Sequence, residues 1–286
     1  MRFLDFSVIA GRAARFLGLA LAALVLGGAW PVAAFPPAPH HLLHGIVRDS
    51  FGNPINVRGT RLILQTPTGI QIAAEIIPGI EPGLNYRLQV PMDSGMTPNL
   101  YQPGVLKPSA PFRLWVLIGT TTNLPIEMVA DYSHLGQPGE TTRMDLTTGV
   151  DANHDGLPDD WERLINPDIS KINPNALAPN GMTYLQAYYA GIYSFDITNG
   201  LALSLVQVSN QVPTLQFTLV PGRTYTIQTS PDLKNWIPTT FRIPAEGPAA
   251  ALRSSYLADK VQQLQVEVPS TGTPSALGYY RLMLLQ

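Results

Sequence analysis

Residues 80–89 read IEPGLNYRLQ and residues 219–228 read LVPGRTYTIQ, so one pattern occurs twice. An apolar residue, a Pro-Gly pair, a tyrosine, a second apolar residue and a glutamine hold the same positions in each copy. Pro-Gly favours a chain reversal because proline fixes φ and glycine accepts a positive φ. The apolar alternation after each turn is typical of a half-buried strand. The repeat therefore predicts two β-modules, one in each half of the chain.

The composition also favours strands over long helices. Only 13% of the 286 residues are charged, and the chain contains 24 glycines and 27 prolines, which suits short strands joined by tight turns. Apolar and alternating runs bounded by turn residues predict strands at residues 61–65, 70–77, 86–90, 112–118, 126–129, 144–146, 215–220, 225–229, 261–268 and 279–285. The sequence therefore predicts a mostly β fold.

The repeated tyrosines carry a resemblance to a known architecture. Tyr86 and Tyr225 are similar to the tyrosine of immunoglobulin-like and fibronectin type III sandwiches, whose hydroxyl hydrogen-bonds back to the preceding corner. The resemblance implies two β-sandwich domains, which we assign to residues 35–148 and 200–286. Within the first domain, residues 44–54 resemble the opening hairpin of carboxypeptidase regulatory-like domains, which are accessory modules and not peptidases.

Residues 149–199 differ from both flanks and are the predicted connector. A short helix is expected at residues 161–165. Thr183 with Gln186 three residues later forms a capping box that begins a second helix, and Gly191 can end that helix in a left-handed conformation.

The connector begins with a motif that carries chemistry. Residues 151–162 read DANHDGLPDDWE, which fits the calcium-loop pattern D-x-[DN]-x-[DN]-G-x5-E, and Gly156 permits the sharp turn at position 6. Oxygen ligands are expected from six positions, with a backbone carbonyl at position 7 and a direct or water-mediated contact at position 9: Asp151, Asn153, Asp155, Leu157, Asp159 and Glu162. The alternative is a metal-free turn that caps the following helix. Four carboxylates in one turn repel each other without a cation, so we predict a bound Ca²⁺.

The loop resembles the units of thrombospondin type 3 repeats and dockerins, in particular the D-G-L-P-D-x-W-E form of secreted bacterial proteins. Pro158 has no amide hydrogen, so it cannot donate the short β-bridge that joins paired EF-hand loops. We therefore expect an EF-hand-like loop that acts singly and not a calmodulin-like lobe.

The same resemblance implies a second loop, whose equivalent here surrounds Gly181. Counting Gly181 as position 6 places Ala176, Ala178 and Ala187 at positions 1, 3 and 12. No carboxylate remains at these positions to hold a cation. We therefore expect one calcium ion, and the loss also argues against a cohesin partner.

The N-terminus predicts export. Arg2, Arg12 and Arg15 precede an apolar run at residues 16–28, and small residues at 33 and 34 offer a cleavage site. We expect residues 1–34 to be a signal peptide, with a retained anchor as the alternative, and no stable membrane span after cleavage.

Cysteine is absent, which excludes disulfides and leaves packing or a bound metal to stabilise the chain outside the cytoplasm. The predicted signal peptide places the expected location outside the cytoplasm, secreted or at the cell surface.

The charge balance bears on partners. Lys and Arg total 18 against 20 for Asp and Glu, and no basic stripe interleaved with aromatics occurs, so we expect no nucleic-acid partner. The C-terminal module contains Tyr225-Thr226-Ile227-Gln228, Ser230, Asp232-Leu233, Trp236 and the ending Tyr279-Tyr280-Arg281-Leu282. In these residues it resembles β-modules that often close exported bacterial proteins carrying such loops. Its Trp236 and Tyr280 either pack in a core or form an aromatic platform for sugars. We expect a cell-surface polysaccharide or an envelope protein as partner.

Two other groups of residues suggest chemistry on their own. His40, His41 and His44 are spaced closely enough to suggest zinc or copper, but no paired carboxylate accompanies them. The Asp93-Ser94-Gly95 triplet of aspartic proteases occurs only once, without the second Asp that proton sharing requires, so we expect a turn there.

The sequence contains no G-x-S-x-G, no H-E-x-x-H and no Gly-rich phosphate loop. A carboxylate pair for glycoside hydrolysis would meet only in the fold, with Glu75, Glu127 and Asp131 as the members to consider. We therefore expect a non-enzymatic calcium-binding protein with a binding, adhesion or envelope-scaffold role. An extracellular carbohydrate-active enzyme, or its accessory subunit, is the alternative.

Overall fold

The computed structural model describes residues 38–96, 99–191, 201–247, 249–269 and 278–285. The predicted signal peptide at residues 1–34 lies outside the described residues. No helix in the described ranges is long and apolar enough to cross a membrane.

Strands dominate these residues, so the prediction of a mostly β fold is confirmed, and the several sheets are consistent with the β-sandwich class. The N-terminal β-region, residues 41–147, contains β1 His41–Gly45, β2 Val47–Arg48, β3 Arg61–Gln65, β4 Gln71–Glu75, β5 Tyr86–Val90, β6 Pro111–Ile118, β7 Thr121–Asn123, β8 Ser133–His134, β9 Thr141–Arg143 and β10 Leu146–Thr147. The C-terminal β-region, residues 204–285, contains β11 Ser204–Ser209, β12 Val212–Leu219, β13 Thr224–Ser230, β14 Ile237–Thr239, β15 Tyr256–Leu257, β16 Gln262–Glu267 and β17 Tyr279–Leu285.

The connecting segment, residues 148–191, is helical where it is regular. It contains helix α1 Asp159–Arg163, the 3₁₀ turn Ile169–Lys171 and helix α2 Tyr184–Ala190. Helix α2 begins as predicted, because the Thr183 hydroxyl accepts the Gln186 amide while the Gln186 side chain accepts the Thr183 amide. It ends at Gly191 in the left-handed conformation, with φ 67°.

The N-terminal β-region has two main sheets that share one core. Strand β1 pairs antiparallel with β5 and parallel with β9, while β3 lies between β4 and β6 and β6 also pairs with β7 and β8. Strict alternation along the strands points every second side chain inward. Buried side chains from both sheets form the core: Leu43, Leu62, Leu64, Tyr86, Leu88, Phe112, Leu114 and Val116.

The C-terminal β-region repeats this plan with a core of its own. One sheet orders β11, β12 and β16, and the other places β13 against β14, β15 and β17. Both contribute to a second apolar cluster that includes Phe217, Tyr225, Ile227, Val266 and Leu282. A third, smaller cluster lies in the connecting segment and contains Leu157, Trp161, Ile172, Ala187 and Tyr188.

The three parts meet at the buried guanidinium of Arg223. It donates to the carbonyl of Gly52 at 2.8 Å and to the Asn53 Oδ1 at 2.9 Å in the N-terminal β-region. It also donates to the Tyr189 carbonyl of helix α2 at 3.3 Å and to the Pro221 carbonyl at 3.0 Å. One side chain therefore joins both β-regions and the connecting segment. All three parts belong to one compact unit, residues 38–286.

The two Pro-Gly turns of the repeated pattern also reach this junction. Gly83, with φ 74°, donates its amide to the Thr224 hydroxyl at 3.1 Å, and a Cβ on Gly222, with φ 78°, would lie 2.9 Å from the Pro54 ring. The turns line a cleft of about 430 Å³ between the β-regions. Glycine is required at both positions by the backbone conformation and by the close approach of the opposite region.

The tyrosine resemblance holds for one copy of the pattern and fails for the other. The Tyr225 hydroxyl accepts the Val220 amide at 2.8 Å, which is the expected bond back to the preceding corner. The Tyr86 hydroxyl instead donates to the Met144 carbonyl at 2.6 Å, because strand β9 and the residues after it run beside β1. The expectation for Tyr86 is therefore wrong.

One predicted strand is also wrong. Residues 126–129 contain a 3₁₀ helix, Ile126–Met128, whose Met128 amide donates to the Pro125 carbonyl. Proline fixes its φ near −60° and favours the start of a turn, and this local preference outweighs the apolar pattern.

Replacing Arg223 with Lys is expected to lower the free energy of unfolding by about 1.5–3 kcal/mol, because an ammonium group cannot span acceptors arranged around a planar guanidinium. Denaturant unfolding followed by tryptophan fluorescence measures the change. Arg58→Lys is the matched control, since Arg58 is exposed. Equal stability of the two variants would contradict the role assigned to Arg223.

Candidate calcium site

The predicted loop leads directly into helix α1. The Asp159 amide donates to the Val150 carbonyl at 2.8 Å, which closes the loop at its base. Leu157 is fully buried in the small apolar cluster of the connecting segment. The loop backbone is therefore held between that cluster and the end of the N-terminal β-region.

Asp151 organises the sharp turn. Its two carboxylate oxygens accept the amides of Asp155 at 3.2 Å and Gly156 at 3.0 Å. Gly156 has φ 93°, a conformation that side chains disfavour, so the glycine at position 6 does what the pattern predicts. Each carboxylate oxygen keeps a second lone pair for a cation.

Positions 3, 5 and 7 of the loop lie next to one another. The Asn153 amide group donates to Asp155 Oδ2 at 3.1 Å, and Asp155 Oδ1 accepts the Leu157 amide at 3.0 Å. Side-chain and backbone oxygens of these residues are the hard ligands that calcium takes.

Asp159 differs from Asp151 and Asp155 in forming an ion pair. Its Oδ1 accepts the Ala152 amide at 2.8 Å, and its Oδ2 forms an ion pair with Arg163 at 2.8 Å. Arg163 is not part of the predicted site, although its spacing of four residues from Asp159 on one helix is the signal for such a pair. These contacts favour the water-mediated form of the role predicted for Asp159.

Glu162 carries the most informative observation in the loop. The residue is 0% exposed, and neither of its carboxylate oxygens has a hydrogen-bond partner. Burial, reinforced by the nearby charges of Asp155, Asp159 and Asp151, raises the pKa of Glu162 to about 7. The Asn153 amide partly offsets this rise without the geometry of a full hydrogen bond.

The donor set fits a hard divalent cation. A buried carboxylate without a partner costs free energy, and a cation that accepts both of its oxygens removes that cost. In the described ranges, no three His, Cys, Asp or Glu side chains are already gathered closely enough to hold a metal by themselves. That count leaves out the amide oxygen of Asn153 and the carbonyl of Leu157, which complete the predicted set.

The equivalent second loop keeps the turn but has alanine at three of the ligand positions, 176, 178 and 187. Gly181 has φ 80°, and the Ala178 amide donates to the Met182 carbonyl at 2.8 Å. Ala178 and Ala187 are buried, and Ala187 packs in the small apolar cluster. Methyl groups therefore stand where the resemblance requires carboxylates.

Aromatic packing connects the loop to the rest of the fold. Trp161, beside Glu162, meets the ring of Tyr188 edge to face at 5.6 Å. The Tyr188 hydroxyl donates to the Asp49 carbonyl at 2.9 Å in the N-terminal β-region. The next residue, Tyr189, accepts the Arg223 bond described above. A continuous chain of contacts thus leads from the loop to the junction.

The other residues singled out in the sequence do not gather around this loop. His41 is buried and bonds the Gln137 carbonyl and the Thr142 hydroxyl, whereas His44 points to the opposite face of β1, so the two cannot share a metal. Asp93 accepts the amide of Gly95 at 2.7 Å, which confirms the predicted turn.

The candidate carboxylates of the enzyme alternative occupy separate elements. Glu75 ends β4, and Asp131 lies in the turn after the 3₁₀ helix. Glu127 is exposed as a whole residue, but its carboxylate accepts the Thr147 amide at 2.9 Å, and desolvation raises its pKa. No hydrogen bond or ion pair links the three in the part of the chain that the structure describes.

Trp236 and Tyr280 have different environments. Tyr280 packs against the core of the C-terminal β-region. Trp236 lies at the surface with the Arg281 guanidinium 4.4 Å from its ring centre, and its indole N–H donates to the Leu233 carbonyl. One face of the Trp236 ring is therefore covered by an arginine.

Glu162→Gln is expected to stabilise the calcium-free protein at pH 8. The pKa of Glu162 is higher in the folded state than the usual 4.5, so its ionisation lowers the stability as the pH rises from about 4.5 through 7, and the neutral amide avoids this loss. The melting temperature in EDTA, measured from pH 4 to 8, tests the difference. With millimolar calcium the order should reverse, because only the carboxylate binds the ion.

Asp160→Asn serves as the control, since Asp160 is exposed in the same helix and outside the predicted ligand set. A Glu162→Gln variant that is less stable than the unsubstituted protein in EDTA at every pH would contradict this account.

Comparison with known proteins identifies no relative. No family model matches the sequence, and no curated protein or solved structure gives a significant match.

Proposed function

We propose that residues 151–162 bind one calcium ion and that the ion orders the joint between two immunoglobulin/fibronectin-like β-sandwich domains of an exported protein. The observation that carries the proposal is the Glu162 carboxylate, which is buried among other acidic groups with neither oxygen paired. A bidentate carboxylate at the last position of a calcium loop needs this arrangement.

The ligand set that we propose is Asp151, Asn153, Asp155, the Leu157 carbonyl, Asp159 and Glu162. Asp151 and Asp155 already bend the loop by accepting its amides, so binding requires little change in the backbone. Burial, followed by repulsion from the neighbouring aspartates, raises the pKa of Glu162, and a bound cation would relieve both effects. One equivalent is expected because the second loop has alanines at three ligand positions.

The position of the loop supports a role in ordering the joint. Glu162 follows Trp161, which packs on Tyr188, and Tyr188 bonds to Asp49 of the N-terminal β-region. An ion that fixes helix α1 would therefore fix the packing beneath the Arg223 junction. A chain without cysteine gains stability outside the cytoplasm from such an ion.

The activity we propose is binding, adhesion or envelope scaffolding at the cell surface, with a polysaccharide or an envelope protein as partner. Two β-regions with separate cores and a junction between them are suited to presenting surfaces at a fixed spacing. An extracellular carbohydrate-active enzyme would instead need two carboxylates facing one substrate cleft. The carboxylate of Glu127 is engaged with the Thr147 backbone, which favours a structural role for it.

Calcium is expected to raise the stability by about 1 kcal/mol at millimolar concentration, because extracellular modules of this kind bind at roughly 10⁻⁴ to 10⁻³ M. The same ion should slow trypsin cleavage after Arg163 and Lys171, which are exposed in the connecting segment. Asp151→Ala should abolish both effects. Isothermal titration should give one equivalent.

Asp160→Ala, outside the ligand set, should keep both effects, and Ala187→Glu alone should not create a second site. Calcium that leaves melting and trypsin cleavage unchanged would refute the proposal. Two specific equivalents would refute its ligand set.

A further inference from the structure

The outward face of the sheet formed by β4, β3 and β6 differs from an ordinary solvated surface. The inward residues of these strands fill the core, and the outward residues stand opposite one another in three rows. The first row is polar and contains Gln71, Gln65 and Arg113. The middle row is apolar and contains Ala73, Ile63 and Trp115. The third row is mixed and contains Glu75, Arg61 and Leu117.

Trp115 lies in the middle row. Its ring is half-buried beside Ile63, and in the described ranges its indole N–H has no hydrogen-bond partner. An indole combines an apolar ring with an N–H donor, so Trp115 beside an apolar row is suited to a ligand with both apolar and polar faces.

Arg113 stands next to Trp115 on the same strand face. Its guanidinium lies 4.5 Å from the ring centre of Tyr132, and its buried Nε has no hydrogen-bond partner. Arg61 is exposed and makes no ion pair, although Glu75 is opposite it. Across the described residues, neither arginine has a carboxylate partner, which leaves two cations on this face open to an anion.

The spacing of these cations favours a polymer over a small anion. Arg113 and Arg61 are on adjacent strands and two rows apart, so their Cα atoms are separated by about 14 Å, given strands 4.8 Å apart and a rise of 3.3 Å per residue. Trp115 and Ile63 lie between them. A chain that runs along the strands would meet a cation, an apolar row and a second cation in turn.

We propose that this outer face binds an acidic polysaccharide of the uronic-acid class. The faces of sugar rings carry C–H groups that pack on Trp115, while carboxylates accept from Arg113 and Arg61 in the bidentate way that guanidinium favours. Gln65 and Gln71 supply hydrogen bonds to hydroxyls. Glu75, which stands opposite Arg61, supplies a carboxylate that accepts hydrogen bonds from sugar hydroxyls.

This assignment rests on the binding role proposed above, but it uses none of the calcium ligands. The face could not be predicted because the apolar run at residues 112–118 does not show which side of its strand is covered. Arg113 is the single polar residue in that run and the signal of an outward face.

The test is titration of the full chain with oligogalacturonate and with its methyl-esterified form, in EDTA so that calcium bridges are excluded. The acidic oligosaccharide should bind more tightly than the neutral ester. Trp115→Ala should weaken binding about tenfold or more, and Arg113→Gln should weaken binding of the acidic form by a similar factor with little effect on the ester.

Trp236→Ala is the matched control, because Trp236 directly precedes strand β14 of the C-terminal β-region. This variant should bind the oligosaccharide as tightly as the unsubstituted protein. Melting curves check that each variant folds. If Trp115→Ala does not fold, Arg61→Gln and Arg113→Gln carry the test, because both positions are on the surface face.

Equal binding of acid and ester, no binding of either, or equal affinity in the Arg113→Gln variant would overturn the proposal. Tighter binding of polyglutamate than of oligogalacturonate would assign an acidic peptide instead and also overturn it. The calcium-dependent rise in melting temperature is measured on the same samples. If the protein shows this rise but does not bind the glycan, only the glycan-binding proposal is refuted. Loss of the calcium response with intact glycan binding refutes only the ordered joint.

Discussion

The arrangement of the fold depends on how one buried cation is satisfied. Arg223 is 5% exposed, and burial lowers its pKa, yet no carboxylate forms an ion pair with it in the described residues. Its donors instead meet uncharged oxygens of Gly52, Asn53, Tyr189 and Pro221. Because a guanidinium keeps its charge, any displacement of these acceptors leaves a desolvated cation unpaired, at a cost of several kcal/mol. The hydrogen bonds of this buried guanidinium therefore fix the junction, in addition to its apolar contacts.

Glu162, in helix α1, presents the opposite electrostatic problem. Its carboxylate is also buried, but the chain supplies no donor, and three neighbouring aspartates oppose its ionisation. The fold gives Arg223 four hydrogen bonds but leaves both carboxylate oxygens of Glu162 without one. This contrast is the basis of our proposal that a cation completes the loop. Trp161 packs on Tyr188, and the next residue, Tyr189, bonds to Arg223, so ordering of the loop would reach the junction.

Local features of the fold could be predicted from the sequence, and features that depend on distant partners could not. Three local features join residues that are at most five positions apart: the capping box of Thr183, the turn at Gly156 and the corner bond of Tyr225. Their residue patterns therefore predict them directly. Tyr86 shares its local pattern with Tyr225 but bonds to Met144, because strand pairing brings a remote segment beside it. The role of Arg223 and the outward direction of Trp115 likewise depend on which elements become neighbours. An almost uninterrupted apolar run does not tell which of its faces is covered.

The single loop also constrains where a calcium-ordered joint can operate. Without a second loop to pair with, and with Pro158 unable to donate the bridging amide, the proposed site gains nothing from a neighbouring site. Its affinity should then fall in the range of extracellular modules and not that of cytosolic buffers, which bind near 10⁻⁹ to 10⁻⁸ M. At such affinity the ion contributes only when its concentration is close to or above the dissociation constant. Calcium at cytosolic sensor levels would leave the loop empty, so an ordered joint requires the high calcium of an extracytoplasmic setting, which is where the arginine-flanked N-terminus is expected to direct the chain.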